Sequence, residues 1–242
     1  MMNNKPLLGI IGGMGTAAGL HFQKLFFDVC NKNGIKGDDN YPEWIYFNAS
    51  KAPDRTEALL NNGASPVEYL VEVIKRLEKA GVDLIVVTCN TAHSFYDEII
   101  NQTKIPWIDL QKETAKLIIT AGYSSASLLS TEGTLKSGVF RKSIEPIGIN
   151  YFEPGLDLEI QKKITDTIYN PGYGIKYTGS KISIEAKSIL QEIVDKLETE
   201  AIIAGCTELS LAEKELVLKA DWLDPMKIAA EACFHHINSK LY

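Results

Sequence analysis

Short apolar runs that end in polar or glycine-rich turns recur along the chain. They lie at residues 7–11, 44–47, 83–87, 105–108, 125–129 and 200–204. The run at 83–87 is almost continuously apolar, which is typical of a strand that is buried on both faces of a parallel sheet. These runs predict six strands.

Helical patterns separate the apolar runs. Residues 17–30 carry apolar side chains at helical spacing. A second helix is predicted to start where Ser65 can cap it, Pro66 suits its first position and Glu68 can close a capping box. A further helix is predicted to begin near Ser183. Strands that alternate with helices predict an α/β fold with parallel sheets and helices on both faces.

The two halves of the chain follow the same plan. An apolar strand leads to Cys89 in the first half and to Cys206 in the second, with an acid six residues before each cysteine. We interpret this as an internal duplication and predict two similar Rossmann-like three-layer domains at residues 1–114 and 115–224. A C-terminal helix at 225–242 is expected to pack back on the first domain.

Composition and charge argue against several classes of protein. With 45% hydrophobic and 23% charged residues, the chain has the composition of an ordinary globular protein. With a net charge of −6, the chain is not expected to have the basic face that nucleic-acid binding needs. No nucleic-acid partner is therefore expected. The apolar stretch at 7–14 is too short and too rich in glycine for a signal peptide or a membrane span. We therefore expect a cytoplasmic protein without membrane contact.

The four cysteines fall into two groups. Without an export signal, all are expected to be reduced. Cys30 and Cys233 lie in apolar helical patterns, which favours buried packing. Cys89 and Cys206 each follow a predicted strand, and ligands bind beyond the carboxyl ends of the strands in such sheets. Each is followed by Asn or Thr and a predicted helix start, where backbone N–H groups can hold a carboxylate.

Two thiols at matched positions suit proton exchange at a single carbon. If both domains face one cleft, a thiol enters it from each side. A thiolate can then remove a proton from one face of the carbon while a thiol returns a proton to the other face. Arg55 and Lys176 lie in polar segments and either bind a carboxylate or face solvent, and the residues alone leave both options open.

Three alternative interpretations concern the same regions. Residues 13–18 fit a G-x-G-x-x-A dinucleotide pattern, but no acid closes the second strand to bind a ribose. His93 lies four residues after Cys89, where it could act as the base for a nucleophilic cysteine in a hydrolase or amidase. Cys233 and the nearby histidine pair lack a second cluster that would complete a zinc site, so no metal is expected.

Five short motifs stand in a specific order and spacing. They lie at residues 12–15 (GGMG), 53–56 (PDRT), 89–93 (CNTAH), 131–134 (TEGT) and 205–209 (GCTEL). Together they span nearly the whole chain and resemble the motifs of the aspartate/glutamate racemase family. Thr16 departs from that pattern, because the family commonly has proline after GGMG.

The resemblance implies a fold, an activity and a set of site residues. It implies two α/β domains about a pseudo-twofold axis, an active site in the cleft between them, and a homodimer. The implied activity is racemisation of aspartate or glutamate by Cys89 and Cys206, with no cofactor, neither pyridoxal phosphate nor metal. The residues implied to bind this small-molecule substrate are Met14, Arg55, Asn90, Thr91, Thr131, Lys176, Thr207 and Glu208.

Within that set, the resemblance implies separate roles. Arg55 and Lys176 would receive the side-chain carboxylate, and the other residues would hold the α-carboxylate and the ammonium group. Cys206 would face the L-enantiomer. Two alternatives stay open: an isomerase or related enzyme that acts on a maleate-like dicarboxylate, and a non-catalytic protein that binds an amino acid.

Overall fold

Two parallel sheets of four strands organise the computed structural model, which describes residues 6–179 and 181–239. The first sheet has the order β2-β1-β3-β4 and the second the order β6-β5-β7-β8, so the two halves share one topology. The prediction of an α/β fold with two similar domains is confirmed. The strands are β1 (Leu8–Gly12), β2 (Trp44–Asn48), β3 (Leu84–Val87), β4 (Trp107–Ile108), β5 (Ser125–Leu129), β6 (Asn150–Phe152), β7 (Ala201–Ala204) and β8 (Asp221–Leu223).

Helices connect the strands on both faces of each sheet. The α-helices are α1 (Thr16–Lys32), α2 (Arg55–Leu60), α3 (Val67–Lys79), α4 (Tyr96–Ile100), α5 (Leu110–Ala121), α6 (Glu132–Ser137), α7 (Val139–Ile144), α8 (Leu158–Tyr169), α9 (Ile175–Thr178), α10 (Ile184–Val194) and α11 (Pro225–Ser239). Two five-residue 3₁₀ segments, Thr91–Phe95 and Thr207–Leu211, follow β3 and β7. Across the ranges that the structure describes, none of the helices is long and apolar enough to cross a membrane.

Side-chain alternation explains why β3 lies inside the first sheet. Leu84 and Val86 join one apolar cluster, and Ile85 and Val87 join the cluster on the opposite face. A strand that is buried on both faces has no position for a polar side chain, which produces the continuous apolar run in the sequence. β7 occupies the equivalent place in the second sheet, and all four of its side chains are buried.

β6 and β8 lie outside the six strands that the sequence predicts. Each has three residues and lies at an edge of the second sheet. Their side chains are largely exposed or half-buried, and Leu223 alone among these six residues is buried. An edge strand covers fewer apolar side chains than a central one, so no apolar run marks it in the sequence.

The last helix completes the core of the first half. α11 packs against α1 and α5, and both packing cysteines, Cys30 and Cys233, are fully buried in the cluster that these helices form with the sheet. The predicted helix extends to residue 242, and residues 240–242 lie outside the described residues. The domain limits at residues 114 and 224 stay a prediction, and the first of them falls inside α5.

Candidate active site

A small, narrow cavity lies where the carboxyl ends of the two sheets face each other. Cys89 stands two residues after β3 and Cys206 two residues after β7, so the duplicated topology brings one thiol to the cavity from each half. All ten residues that the sequence analysis selected line this cavity. The full lining is Met14, Asp54, Arg55, Thr56, Cys89, Asn90, Thr91, Thr131, Tyr169, Lys176, Cys206, Thr207 and Glu208.

The backbone of Cys89 is held by a buried histidine. His93 Nδ1 lies 2.9 Å from the Cys89 carbonyl oxygen, and Trp107 Nε1 donates to His93 Nε2 at 3.1 Å. Because an indole N–H can only donate, His93 Nε2 must accept, and Nδ1 carries the proton that it donates to Cys89. Burial lowers the pKa of His93, which favours this neutral form. Both ring nitrogens are therefore engaged, which argues against His93 as a base for the Cys89 thiol.

Arg55 is a buried cation beside Cys89. Its Nη1 donates to the carbonyl of Pro53 at 3.0 Å, and its Nη2 donates to the carbonyl of Met14 at 3.0 Å. The guanidinium lines the same cavity as Cys89. Burial acts to lower the pKa of Arg55, but its interactions with the neighbouring Cys89 and Asp54 outweigh burial and raise it. Within the described ranges, Nε is buried without a hydrogen-bond partner.

Cys206 has a carboxylate beside its thiol. Cys206 Sγ donates to Glu208 Oε2 at 3.0 Å. Burial raises the pKa of the Cys206 thiol well above its ordinary value, and the negative charge of Glu208 raises it further. The positive charge of Lys176 acts in the opposite direction without cancelling these effects. The environment of Cys206 therefore favours the protonated thiol.

Lys176 links the two halves across the cavity. Its Nζ lies 3.5 Å from Glu208 Oε1 and 3.4 Å from the carbonyl oxygen of Met14. The same ammonium group lies 4.7 Å from the centroid of the Tyr169 ring, which is a cation–π distance. Burial acts to lower the pKa of Lys176, but the negative charge of Glu208 is the main effect that outweighs burial and raises it. Lys176 therefore keeps its positive charge.

Amide and hydroxyl groups line the rest of the cavity. Gln111 Nε2 donates to Asn90 Oδ1 at 3.0 Å, whereas Asn90 Nδ2 is buried and finds no hydrogen-bond partner in the part of the chain that the structure describes. Thr91 Oγ1 lies 3.2 Å from Thr131 Oγ1 and 2.8 Å from Thr134 Oγ1, so three hydroxyls join the two halves. The cavity thus has a free amide donor beside several hydroxyl groups.

The segments after the two cysteines differ from the sequence prediction. An α-helix start was expected after each cysteine, but both are followed by 3₁₀ segments, Thr91–Phe95 and Thr207–Leu211. A 3₁₀ segment has fewer aligned peptide units than a long α-helix, so its dipole contributes less to anion binding. The donors at this site are individual side chains and the N–H groups of a single turn.

Comparison with known proteins decides the family. A family model for Asp/Glu/Hydantoin racemases matches residues 11–233. The chain belongs to this racemase family. It is therefore an isomerase of the racemase type, which confirms the resemblance that the five motifs carry.

Other members of the racemase family match most of the chain. It is 25% identical to the broad specificity amino-acid racemase RacX of Bacillus subtilis over 207 residues, which covers 84% of this chain and 86% of the relative. The aspartate racemase of Picrophilus torridus has a similar structure, with a TM-score of 0.82 and 26% identity over 96% of this chain and 94% of that one. An aspartate racemase homologue from Pyrococcus horikoshii has a TM-score of 0.75 at 22% identity, covering 97% and 99% of the two chains.

Five residues in or beside this candidate site were absent from the sequence prediction. Asp54 and Thr56 flank Arg55 in the PDRT motif, so their position next to a proposed site residue could have identified them. Tyr169 ends α8 and reaches the cavity only because α8 packs beside α9. Gln111 and Thr134 act through residues that line the cavity, and nothing in the local sequence separates them from ordinary helix residues.

Proposed function

We propose that this racemase-family protein inverts the α-carbon of an acidic amino acid, aspartate or glutamate, with Cys89 and Cys206 as the two acid–base groups. The observation that supports this most directly is the approach of one thiol from each half to the same small cavity. One thiolate removes the α-proton, and the opposite thiol delivers a proton to the other face. The two thiols then exchange roles in the reverse reaction.

The polarity of the cavity supports a substrate with one ammonium and two carboxylate groups. Asn90 Nδ2 offers a free donor to the α-carboxylate, and the hydroxyls of Thr91, Thr131 and Thr207 line the cavity with it and can reorient toward a bound anion. Glu208 Oε1, which finds no hydrogen-bond partner among the described residues, offers an acceptor to the ammonium group. A maleate-like diacid has no ammonium group, and the buried Glu208 carboxylate would repel it.

In this proposal, Lys176 is the main group that binds the side-chain carboxylate of the substrate. Arg55 uses both N–H groups of Nη1 and one N–H of Nη2 on backbone carbonyls, which leaves Nε and the second N–H of Nη2 for further bonds. Lys176 Nζ is held by weaker contacts at 3.4 and 3.5 Å and can accept a new anionic partner. Similarity to the aspartate racemase of P. torridus supports an acidic substrate, and similarity to the broad specificity racemase RacX makes neutral amino acids a necessary part of the screen.

The decisive experiment measures exchange of the α-proton. Purified, reduced protein is incubated in D₂O with L-aspartate, L-glutamate and a panel of neutral amino acids, and loss of the α-proton signal is followed by NMR. Chiral chromatography reports the enantiomer ratio. We expect exchange with racemisation of one acidic amino acid. The rate of racemisation should be at least about 100-fold lower when Cys89→Ala or Cys206→Ala removes one of the two groups.

Matched controls separate the thiol chemistry from general damage. Cys30→Ala and Cys233→Ala also remove buried thiols, but both lie in the helical core of the first half, away from the cavity. They are expected to keep exchange activity. Racemisation that survives in Cys89→Ala would overturn the two-thiol mechanism, and no exchange with any amino acid despite tight binding would favour the binding protein.

Quaternary structure and cofactor use belong to the same proposal. Similarity to the racemase family supports a cytoplasmic homodimer that works without pyridoxal phosphate or metal. Light scattering coupled to size exclusion should give twice the 26.8 kDa chain mass. Exchange activity should persist after dialysis against a chelator and in the presence of hydroxylamine, which traps pyridoxal phosphate.

A further inference from the structure

A second pocket, here named the outer chamber, joins the cavity and is larger and more open to solvent. It lies against the first two turns of α1 and the loop that follows β2. The wall that it shares with the cavity is formed by Met14, Asp54, Arg55, Lys176 and Glu208. A group that extends from the cavity past Lys176 therefore enters the outer chamber.

The charged residues of the outer chamber lie only in that shared wall. Among the described residues, the ten that line the outer chamber alone include no lysine, arginine, aspartate or glutamate. His21 is one of the ten, and burial together with the nearby charge of Lys214 lowers its pKa, so its ring is neutral at pH 7. The part of the chamber beyond Lys176 therefore favours an uncharged group.

Apolar side chains of the outer chamber keep part of their surface free. Leu20 is 56% exposed on α1, and Ala17 and Leu211 are half-buried. An alkyl chain that lies against them removes apolar surface of both partners from water. Each methylene that is buried in this way strengthens binding about threefold.

The two cations of the shared wall are compensated without a carboxylate from a ligand. Lys176 Nζ lies 3.5 Å from Glu208 Oε1, 3.4 Å from the Met14 carbonyl oxygen and 4.7 Å from the centroid of the Tyr169 ring. Arg55 donates three N–H groups to backbone carbonyls. A buried charge is costly only when it loses its partners, and an uncharged side chain leaves these contacts in place.

We propose that the substrate site extends into the outer chamber, so that the protein takes amino acids with long, uncharged, unbranched side chains in addition to acidic ones. This inference rests on the proposed racemase function, which directs the side chain of the substrate toward Lys176. The chemistry is unchanged, because one proton leaves the α-carbon and one returns to it.

The length of the side chain decides whether it reaches the outer chamber. In aspartate, the carboxylate oxygen that meets Lys176 is the third heavy atom of the side chain. The fourth and later atoms of a longer side chain therefore pass Lys176 and lie along Ala17, Leu20 and Leu211.

The test uses a series of L-amino acids with unbranched alkyl side chains: 2-aminobutyrate, norvaline, norleucine and 2-aminoheptanoate. The full-length reduced protein is incubated with each in D₂O, and α-proton exchange gives kcat/KM. We expect kcat/KM to rise about tenfold from norvaline to 2-aminoheptanoate, because two further methylenes leave water. Values that stay level or fall beyond norvaline would overturn the inference.

Two substitutions that fill the outer chamber test where the long side chain lies. Ala17→Leu and Leu20→Trp enlarge residues that line the outer chamber but not the cavity. Each should lower kcat/KM for 2-aminoheptanoate about tenfold and change the values for norvaline and aspartate less than about twofold. Equal losses for all substrates would show that the chamber is only an entry route, which would also overturn the inference.

Phe27→Trp is the matched control for Leu20→Trp. Phe27 is a partly exposed residue two turns further along α1, and it does not line the outer chamber. The control variant should leave the dependence of kcat/KM on chain length unchanged. Thermal denaturation checks that all three variants are folded.

Direct binding separates this inference from the proposed function. Isothermal titration calorimetry measures Kd for the same series with the native protein and with Ala17→Leu. Exchange with aspartate but neither exchange nor binding with the long uncharged amino acids refutes the inference alone. If no amino acid exchanges its α-proton but Kd falls about tenfold from norvaline to 2-aminoheptanoate in the native protein only, the racemase function alone is refuted.

Discussion

Asn90 can present either its amide oxygen or its amide nitrogen to the cavity, and Gln111 decides between them. Gln111 Nε2 donates to Asn90 Oδ1 at 3.0 Å, which leaves Nδ2 for the substrate. We expect Gln111→Leu to raise KM about tenfold, because a hydrogen bond to a charged carboxylate contributes about 1.5–3 kcal/mol. Steady-state racemisation at varied substrate concentration measures KM and kcat separately.

A control for Gln111→Leu lies on the surface of the first half. Gln102→Leu removes an amide that bonds only the carbonyl of Glu98 on its own turn, and it should leave KM unchanged. If Gln111→Leu lowers the melting temperature without any change in KM, Gln111 has a structural role only.

Gly15 allows Glu208 to approach the first half of the chain. A Cβ at position 15 would stand 2.0 Å from Glu208 Oε1, well inside van der Waals contact. Gly15→Ala should displace the carboxylate from Cys206 and Lys176, with at least about a tenfold loss of kcat/KM, since positioning within about 0.5 Å matters at such sites. Enantiomer ratios over time give this rate.

A double-mutant cycle checks that the clash is the cause. In a Glu208→Ala background the alanine at position 15 has no carboxylate to displace, so it should cost less unfolding free energy than in the native background. We expect a coupling of about 1 kcal/mol from urea denaturation of the four proteins. Additive effects would place the damage elsewhere in the GGMG turn.

The 3₁₀ segment after Cys206 is hydrogen-bonded to the residue that precedes α11. Ser210 Oγ, in that segment, donates to Asp224 Oδ2, and Asp224 Oδ1 accepts the N–H of Met226 at 2.9 Å. Burial raises the pKa of Asp224 to about 6, although both hydrogen bonds act to lower it. The segment that follows the second thiol therefore depends on a buried carboxyl group that titrates near neutral pH.

This raised pKa makes a prediction about stability. A carboxyl group with a folded pKa above its unfolded value contributes stability at low pH that is lost as the pH rises through about 6. Asp224→Asn stays neutral and can keep both hydrogen bonds. Its unfolding free energy relative to the native protein should therefore rise between pH 4.5 and pH 8, by at most about 3 kcal/mol.

Urea denaturation of both proteins at the two pH values checks this prediction. The control is Asp221→Asn, because Asp221 is an exposed carboxylate that bonds Tyr123 on the surface. A difference between Asp224→Asn and the native protein that does not change with pH would show that Asp224 is ionised in the fold throughout this range.

At the scale of the whole molecule, α11 returns the end of the chain to the first half. It packs against α1 and α5, and its buried face includes Met226, Ala230 and Ile237. Ala230→Asp places a charge in this interface with no partner and should lower the unfolding free energy by about 3–5 kcal/mol. Thermal or urea denaturation measures the loss.

Lys227→Asp provides the matched control, because Lys227 lies one turn earlier on the exposed face of the same helix. It introduces the same side chain and should change the unfolding free energy by less than about 0.5 kcal/mol. Equal effects of the two substitutions would mean that α11 contributes little to the core of the first half.

The sequence predicted the interior strands and the candidate site residues but not every edge strand. β3 and β7 were predictable because burial on both faces requires a continuous apolar run. The edge strands β6 and β8 were missed because they carry no such run. All ten proposed site residues line one cavity, since parallel strands deliver the residues after their carboxyl ends to one edge.

The sequence by itself determined the α/β plan, its duplication and the pair of cysteines that follow equivalent strands, because these depend on local periodicity and on the order of motifs along the chain. Only the tertiary structure decided which charged groups line the cavity with the thiols. Arg55 and Glu208 belong to different halves, and the orientation of Asn90 depends on Gln111, 21 residues away. Electrostatic contacts act through space at short range, so they are fixed only when the two sheets face each other.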